Sequence, residues 1–245
     1  MVRMLVTRPT PEASETAARL SALDIEAVVE PLLISQTLRT TLPQAAGFAA
    51  MAVTSGTALR ALHDRGELGR FLALPVFAVG DRTAALATRF GFARVVSANG
   101  NLDDLVTLLA KAGVGGPVFH PAARQQAGDL SKALAPHGVM VITAAVYEMV
   151  PASRLSPATL GELESGAISA ALFYSRRTAE TFIGLTGGLR DKARLGMLCL
   201  SENVAAPLLG AHFVRVSLAE HPSEEAMLGL ALSFAREQNG SMLPQ

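Results

Sequence analysis

Short apolar runs, each followed by a polar stretch and then by helix-forming residues, recur along this chain. The plainest case is Val76 to Gly91, VFAVGDRTAALATRFG. Val76 to Val79 reads as a strand buried on both faces, and Gly80-Asp81-Arg82-Thr83 as the polar turn that stops it. Ala84 to Phe90 then predicts a helix, with Gly91 placed for a left-handed C-terminal cap. Six such units are legible. The first runs from Met4 to Val6, through Thr7-Arg8-Pro9, into a helix near Glu12 to Leu23, with Ala13, Ala17 and Leu20 on one face. The second is Ala49 to Val53, Thr54-Ser55-Gly56-Thr57 and a helix from Ala58 to His63. The Val76 unit continues through a strand at Ala93 to Val96 and a helix near Asp103 to Lys111.

After Gly113 to Gly116, read as a flexible link, the series starts again. Val118-Phe119-His120-Pro121 parallels Val6-Thr7-Arg8-Pro9, and leads to a helix at Gly128 to Leu134 and a strand at Val139 to Thr143. Ala170 to Tyr174 with Ser175-Arg176-Arg177-Thr178-Ala179 repeats Ala49 to Ala58 in type and spacing. Met197 to Leu200 with Ser201-Glu202-Asn203-Val204-Ala205 repeats Phe77 to Ala84, so the chain reads as an internal duplication. Two apolar stretches carry no helix stripe and read as extended connections: Pro31 to Thr37, after a strand at Ile25 to Val29, and Ala144 to Pro151. Strands alternating with helices imply parallel sheets with helices on both faces and ligands outside the carboxyl ends of the strands. That places the polar stretches after Val53, Val79, Tyr174 and Leu200 at the mouths of their sheets.

Composition narrows the class. Of 245 residues, half are apolar and only 17% charged, which is the balance of a chain with a substantial core. Formal net charge is zero, which argues against a nucleic-acid binder working through a broad basic field, although a local patch can survive such averaging. Every apolar run breaks well before the roughly 18 residues a membrane span needs. Met1 to Val6 enters a strand too soon for a secretory leader, and Arg236 to Gln245 are polar and expected to fray. The single cysteine, Cys199, has no intrachain partner and lies in an apolar run, which fits burial in a strand and a cytoplasmic protein.

Metal and nucleotide chemistry find no support in the pattern. The five histidines, His63, His120, His137, His212 and His221, are scattered without ligand-like spacing, and most read as surface or helix-end residues. Neither GxxxxGK[ST], GxGxxG nor GxSxG occurs. What remains is the set of hydroxyls in the polar stretches: Thr54, Ser55, Thr83, Ser175 and Ser201. Helix capping explains any one of them. Four stretches at equivalent points of the repeat point further, to a surface that binds an anionic ligand through N–H and hydroxyl donors. Arg8, Arg82, Arg124, Arg176 and Arg177 lie in or near these stretches and add positive charge. Tyr147, in the extended run AAVYEMVP, is either packed at a junction or a phenol placed to move a proton.

Together these residues resemble the uroporphyrinogen-III synthase family. The resemblance rests on Val6-Thr7-Arg8-Pro9, Val53-Thr54-Ser55 with Ala58, Val79-Gly80 with Thr83-Ala84, Val146-Tyr147, Phe173-Tyr174-Ser175 and the Ser201 turn, from the N-terminus to about Leu232. It implies two α/β domains, each a doubly wound parallel sheet, joined by a two-stranded extended linker. One domain would comprise residues 1–34 with 149–245 and the other 35–148, in place of the halves at about residue 113 that duplication alone suggests. The implied activity is a cofactor-free lyase reaction: cyclisation of hydroxymethylbilane to uroporphyrinogen III with inversion of ring D and loss of water. The implied catalytic residue is Tyr147, with Arg8, Thr54, Ser55, Gly80, Thr83, Ser175 and Ser201 binding substrate carboxylates. Neither metal, nucleic acid nor membrane is called for, and a monomer making transient contact with the hydroxymethylbilane-producing enzyme is expected. Gly56-Thr57 departs from the proline, asparagine or arginine common there, and Ser201 replaces a common threonine. The rival reading is a non-catalytic two-lobed binding protein or sensor for a small anionic metabolite, which the same architecture would serve.

Overall fold

The computed structural model describes residues 2–126, 128–189 and 191–240. In chain order its regular elements are β1 (Arg3–Val6), α1 (Glu12–Ser21), β2 (Glu26–Val29), β3 (Leu33–Thr37), β4 (Ala50–Val53), α2 (Gly56–Asp64), β5 (Val76–Ala78), α3 (Asp81–Arg89), β6 (Val95–Ser97) and α4 (Leu102–Lys111). They continue with β7 (Val118–Ala123), α5 (Leu130–Leu134), β8 (Val141–Pro151), α6 (Pro157–Ser165), β9 (Ala170–Phe173), α7 (Arg176–Leu185), β10 (Gly196–Cys199), α8 (Glu202–Gly210), β11 (Val216–Leu218) and α9 (Glu224–Gly240). The chain forms two compact units, one of Met1–Ile34 with Val150–Gln245 and one of Ser35–Met149.

In the first unit the sheet order is β2-β1-β9-β10-β11, and every pairing in it is parallel. Alternate side chains of these strands feed opposite layers, as the period of a strand requires. Leu5, Ala171, Phe173 and Met197 pack with Phe182 of α7 and Leu208 of α8. Met4, Val6, Leu172 and Leu198 pack with Leu20 of α1 and Met227 and Phe234 of α9. A Cβ at Gly196 would run into the Phe234 ring, so glycine there lets α9 lie directly on β10.

In the second unit β8-β7-β4-β5-β6 pair in parallel, and β3 lies beyond β8 at the edge. Met51, Val53 and Phe119 face Leu59 and Leu62 of α2, with Phe71 stacked on Phe119 at 4.7 Å between ring centroids. Ala50, Ala52, Phe77 and Val118 face Leu105 and Leu109 of α4 and Leu134 of α5. Burying each such Leu or Phe contributes about 1.5–3 kcal/mol, and the two layers per sheet make both units α/β and doubly wound.

The two strand orders are equivalent position by position. β1 corresponds to β7, β9 to β4 and β10 to β5, which are the pairs that the sequence repeats matched. Other expectations need correction. The polar stretches are not free turns, since α2, α3, α7 and α8 begin within them at Gly56, Asp81, Arg176 and Glu202. A helix can start on polar residues because its first amides need acceptors that such side chains supply. His120-Pro121 lies inside β7, not in a turn after it. β7 outlasts its neighbour: pairing with β4 stops at Met51 and Phe119, while pairing with β8 runs on to Ala123. The amides of Val118 and Arg124 donate towards β8, so the Pro121 nitrogen faces the side where pairing with β4 has already stopped, and no ladder bond is lost. The strand expected at Val139 to Thr143 and the extended run to Pro151 are one strand, β8. α6, β11 and α9 had no counterpart in the sequence reading; Arg236 to Gly240, expected to fray, complete α9, and residues 241–245 of that expected tail lie outside the described residues. Gly91 adopts φ +99°, the left-handed conformation expected after α3.

Candidate active site

In the second unit the carboxyl ends of β4, β5 and β7 open onto a cavity of about 500 Å³. Thr54 and Ser55 follow β4, Val79 follows β5, His120 and Ala123 come from β7, and Gln125, Gln126 and Gly128 from the segment after it. Leu102 of α4 and Tyr147 and Met149 of β8 complete the wall. Apolar walls with a few convergent polar groups are the usual make-up of a small-molecule site.

Tyr147 is brought to this wall by a bulge. Ala122 pairs with Ala145 but Ala123 with Tyr147, so β8 carries one extra residue at Val146. Val146 and Tyr147 consequently pack into the same layer although adjacent, which an unbroken strand of period two would not allow. The Tyr147 ring packs in the layer that contains Val146, Met51 and Phe119.

His120 is an exception to the surface or helix-end placement expected of most of the histidines. Far from lying at the surface, it is 2% exposed, with Nε2 3.2 Å from Thr54 Oγ1 and Nδ1 3.4 Å from Thr143 Oγ1. Burial pushes its pKa down to about 4, against the opposing pull of the Asp129 charge, so the ring is neutral near pH 7. The signal was present: a polar residue at the end of an apolar run, in the place where the repeat carries Arg8.

The hydroxyl stretches divide into two kinds. Ser55 and Ser175 are committed to their own helices, accepting from the Thr57 and Thr178 amides at 3.2 Å. Ser175 also shares a hydrogen bond with the Thr178 hydroxyl at 2.7 Å. Gly80 and Ser201 occupy the cap positions of α3 and α8 without a side-chain bond to either helix. Neither cap residue supplies a side-chain acceptor to the first amides of these two helices, and negative charge is favoured at such a helix start. Thr83 is three residues into α3, where α8 has Val204, so Thr83 and Ser201 do not share a cap position.

Thr54, Ser55 and Tyr147 thus line one cavity; Gly80 and Thr83 belong to the same unit but not to its lining. Arg8, Ser175 and Ser201 belong to the other unit. The Arg8 guanidinium is held by the Glu224 carboxylate, donates to Thr16 Oγ1 at 3.3 Å and lies 4.1 Å over the Tyr174 ring. Of the other arginines, Arg124 pairs with Glu148 at 2.7 Å and Arg176 with Glu180 at 2.8 Å. Cys199 is fully buried in β10, where burial pushes its thiol up to about 12 and keeps it unreactive. Among the described residues no three His, Cys, Asp or Glu side chains are placed to share a metal ion, and no helix is long and apolar enough to cross a membrane.

The model of the family described as uroporphyrinogen-III synthase HemD matches residues 14–229, through both units and the whole cavity wall. The chain belongs to the uroporphyrinogen-III synthase family. Its fold is shared by the uroporphyrinogen-III synthetase of Helicobacter pylori, with a TM-score of 0.65 at 20% identity over 95% of this chain and 99% of that one. A mutant uroporphyrinogen III synthase from the extremely thermophilic bacterium Thermus thermophilus is similar with a TM-score of 0.51 at 18% identity, over 97% and 100% of the two chains. No curated protein matches the chain. At these identities the solved structures speak for the fold, and the family match carries the relationship.

Proposed function

We propose that this protein is a lyase that closes hydroxymethylbilane to uroporphyrinogen III, inverting ring D and releasing water. The reading is carried by the family match across residues 14–229. The composition of the cavity supports it, with a phenol, two hydroxyls, a neutral imidazole and two carboxamides against apolar walls. Tyr147 assists departure of the substrate hydroxyl by donating its proton, which leaves a stabilised azafulvene cation. Ring D attacks through its substituted carbon to give a spirocyclic pyrrolenine, and fragmentation and recombination deliver the inverted ring. The residues' larger task is positioning, since a flexible chain must present the substituted carbon before the free one.

The substrate's carboxylates fall to donors that a helix start or a hydroxyl offers. Thr54 and Ser55 act in the cavity, and Gly80 and Thr83 at the start of α3. Ser175 and Ser201 offer equivalent donors in the first unit, with Ser201 the freer of the two. Arg8 has a supporting role in this scheme, because Glu224 already holds its charge. The chemistry needs no cofactor, and the enzyme works as a cytoplasmic monomer in transient contact with the source of its substrate. The units Ser35–Met149 and Met1–Ile34 with Val150–Gln245 act as its two domains.

The test uses freshly made hydroxymethylbilane and separates the product isomers. The type III isomer should replace the type I isomer that forms spontaneously. Type I alone, in the presence of folded protein, would end this reading and leave the binding-protein alternative.

A further inference from the structure

The buried imidazole of His120 stands between two hydroxyls that belong to different strands. β7 pairs His120 with Thr143 of β8, and beyond the end of β4 the chain turns so that Thr54 meets the other ring nitrogen. Thr54 lines the cavity together with Tyr147, whereas Thr143 is exposed. A neutral imidazole has one N–H and one lone pair, so the two contacts must run in the same direction around the ring. If Thr54 donated to Nε2, its oxygen lone pairs would face the cavity and repel an anion. If Thr143 donates to Nδ1, then Nε2–H donates to Thr54 and the Thr54 proton is left for an acceptor in the cavity. Burial keeps the ring neutral over the range in which carboxylates are ionised, so it offers one N–H and one lone pair there and the two contacts stay in one direction.

We propose that His120 is a positioning residue for carboxylate capture, through a one-way hydrogen-bond chain from Thr143 to His120 to Thr54 that aims the Thr54 proton at a substrate carboxylate in the cavity. It rests on the reading that the cavity takes hydroxymethylbilane. A hydroxyl alone serves equally as donor or acceptor; the imidazole removes the second option before the ligand arrives. The contact to Thr143 is the longer and weaker one, so the Thr54 end carries most of the effect.

The experiment measures KM and kcat for type III formation from hydroxymethylbilane in His120→Leu, His120→Gln, Thr54→Val and the His120→Leu/Thr54→Val double variant. Leucine fills volume without a donor, while the glutamine carboxamide restores one near the Nε2 position. His120→Leu is expected to raise KM about tenfold, the size of one hydrogen bond to a charged acceptor, and to change kcat less than about threefold. His120→Gln should recover most of that loss. Thr54→Val should also raise KM about tenfold alone, yet add less than about twofold in the His120→Leu background, because the two residues act as one unit. Wild-type KM in His120→Leu, or effects of the two substitutions that multiply, overturns the inference. Should His120→Leu fail to fold, Thr143→Val probes the chain from its exposed end. It should raise KM about threefold with Thr54 present and not at all in Thr54→Val, and equal effects in both backgrounds overturn the inference. A folded wild-type protein that yields only type I removes the functional reading itself, and the inference with it. Normal type III formation alongside unaltered variants removes the inference alone.

Discussion

The backbone N–H of Arg124 donates to the carbonyl oxygen of Tyr147 at 2.8 Å, where the bulge in β8 sets Tyr147 opposite Ala123. The side chain of Arg124 pairs with Glu148, the next residue of the same strand. Tyr147 is therefore placed by its backbone and by ring packing, and its hydroxyl is not what fixes it.

Tyr147→Phe follows directly from that arrangement. Ring and backbone contacts survive, so unfolding stability should change by less than about 0.5 kcal/mol, as for substitutions that remove no packing. With the proton donor gone, kcat for type III formation should fall about a hundredfold while KM stays within about twofold. Turnover equal to wild type in steady-state assays would remove Tyr147 from the chemistry.

Ser175 and Ser201 separate capping from binding. Ser175→Ala deletes a cap that accepts from the Thr178 amide and should cost about 1 kcal/mol in urea unfolding. Ser201 makes no such bond, so Ser201→Ala should leave stability within about 0.5 kcal/mol and act on KM instead, raising it several-fold. Equal losses of stability in both variants would contradict this division.

Arg8 tests the supporting role. Arg8→Ala removes the ion pair with Glu224, the bond to Thr16 and the stacking on Tyr174, all between partly buried groups. A loss of about 2 kcal/mol is expected, more than for an exposed pair, with KM unchanged in the folded fraction. A raised KM at unaltered stability would instead make Arg8 a substrate contact.

Acid stability should report His120. In the unfolded chain the imidazole takes up a proton near pH 6.5, but in the folded protein only near pH 4. Between those values the unfolded state binds the extra proton, so stability falls as pH drops from about 6.5 to about 4, by up to about 3 kcal/mol, and this contribution is fully present above the higher value. Urea midpoints measured from pH 7 to pH 4 should show the slope in wild type and lose much of it in His120→Gln. Parallel slopes in the two proteins would mean that other groups govern the acid limb.

Much of the framework was legible in the residues alone. Apolar runs as short as Val76–Ala78 and Ala50–Val53, bounded by Gly, Ser and Thr and followed by helix formers, leave parallel strands with crossover helices as the arrangement that buries both faces. The correspondence of Ala170–Phe173 with Ala50–Val53 carried through to equal places in two sheets. Local chemistry also marked the hydroxyls at the strand ends, and Tyr147 within an apolar extended run, as polar groups that are visible without knowing what they face. What escaped the sequence was whatever depended on a neighbour distant along the chain. α9 carries little amphipathic contrast until Gly196 and β10 lie beneath Phe234. His120 looked like any scattered histidine until pairing with β4 stopped at Phe119, one residue before it, and Thr54 turned across to its ring. The difference between Ser175, which accepts from its own helix, and Ser201, which makes no such cap bond, is likewise decided by local geometry that the sequence does not display. Patterning along a chain sets which surfaces must be buried, but burial, register and partner choice arise between segments, and those contacts decide which polar groups remain available to a ligand.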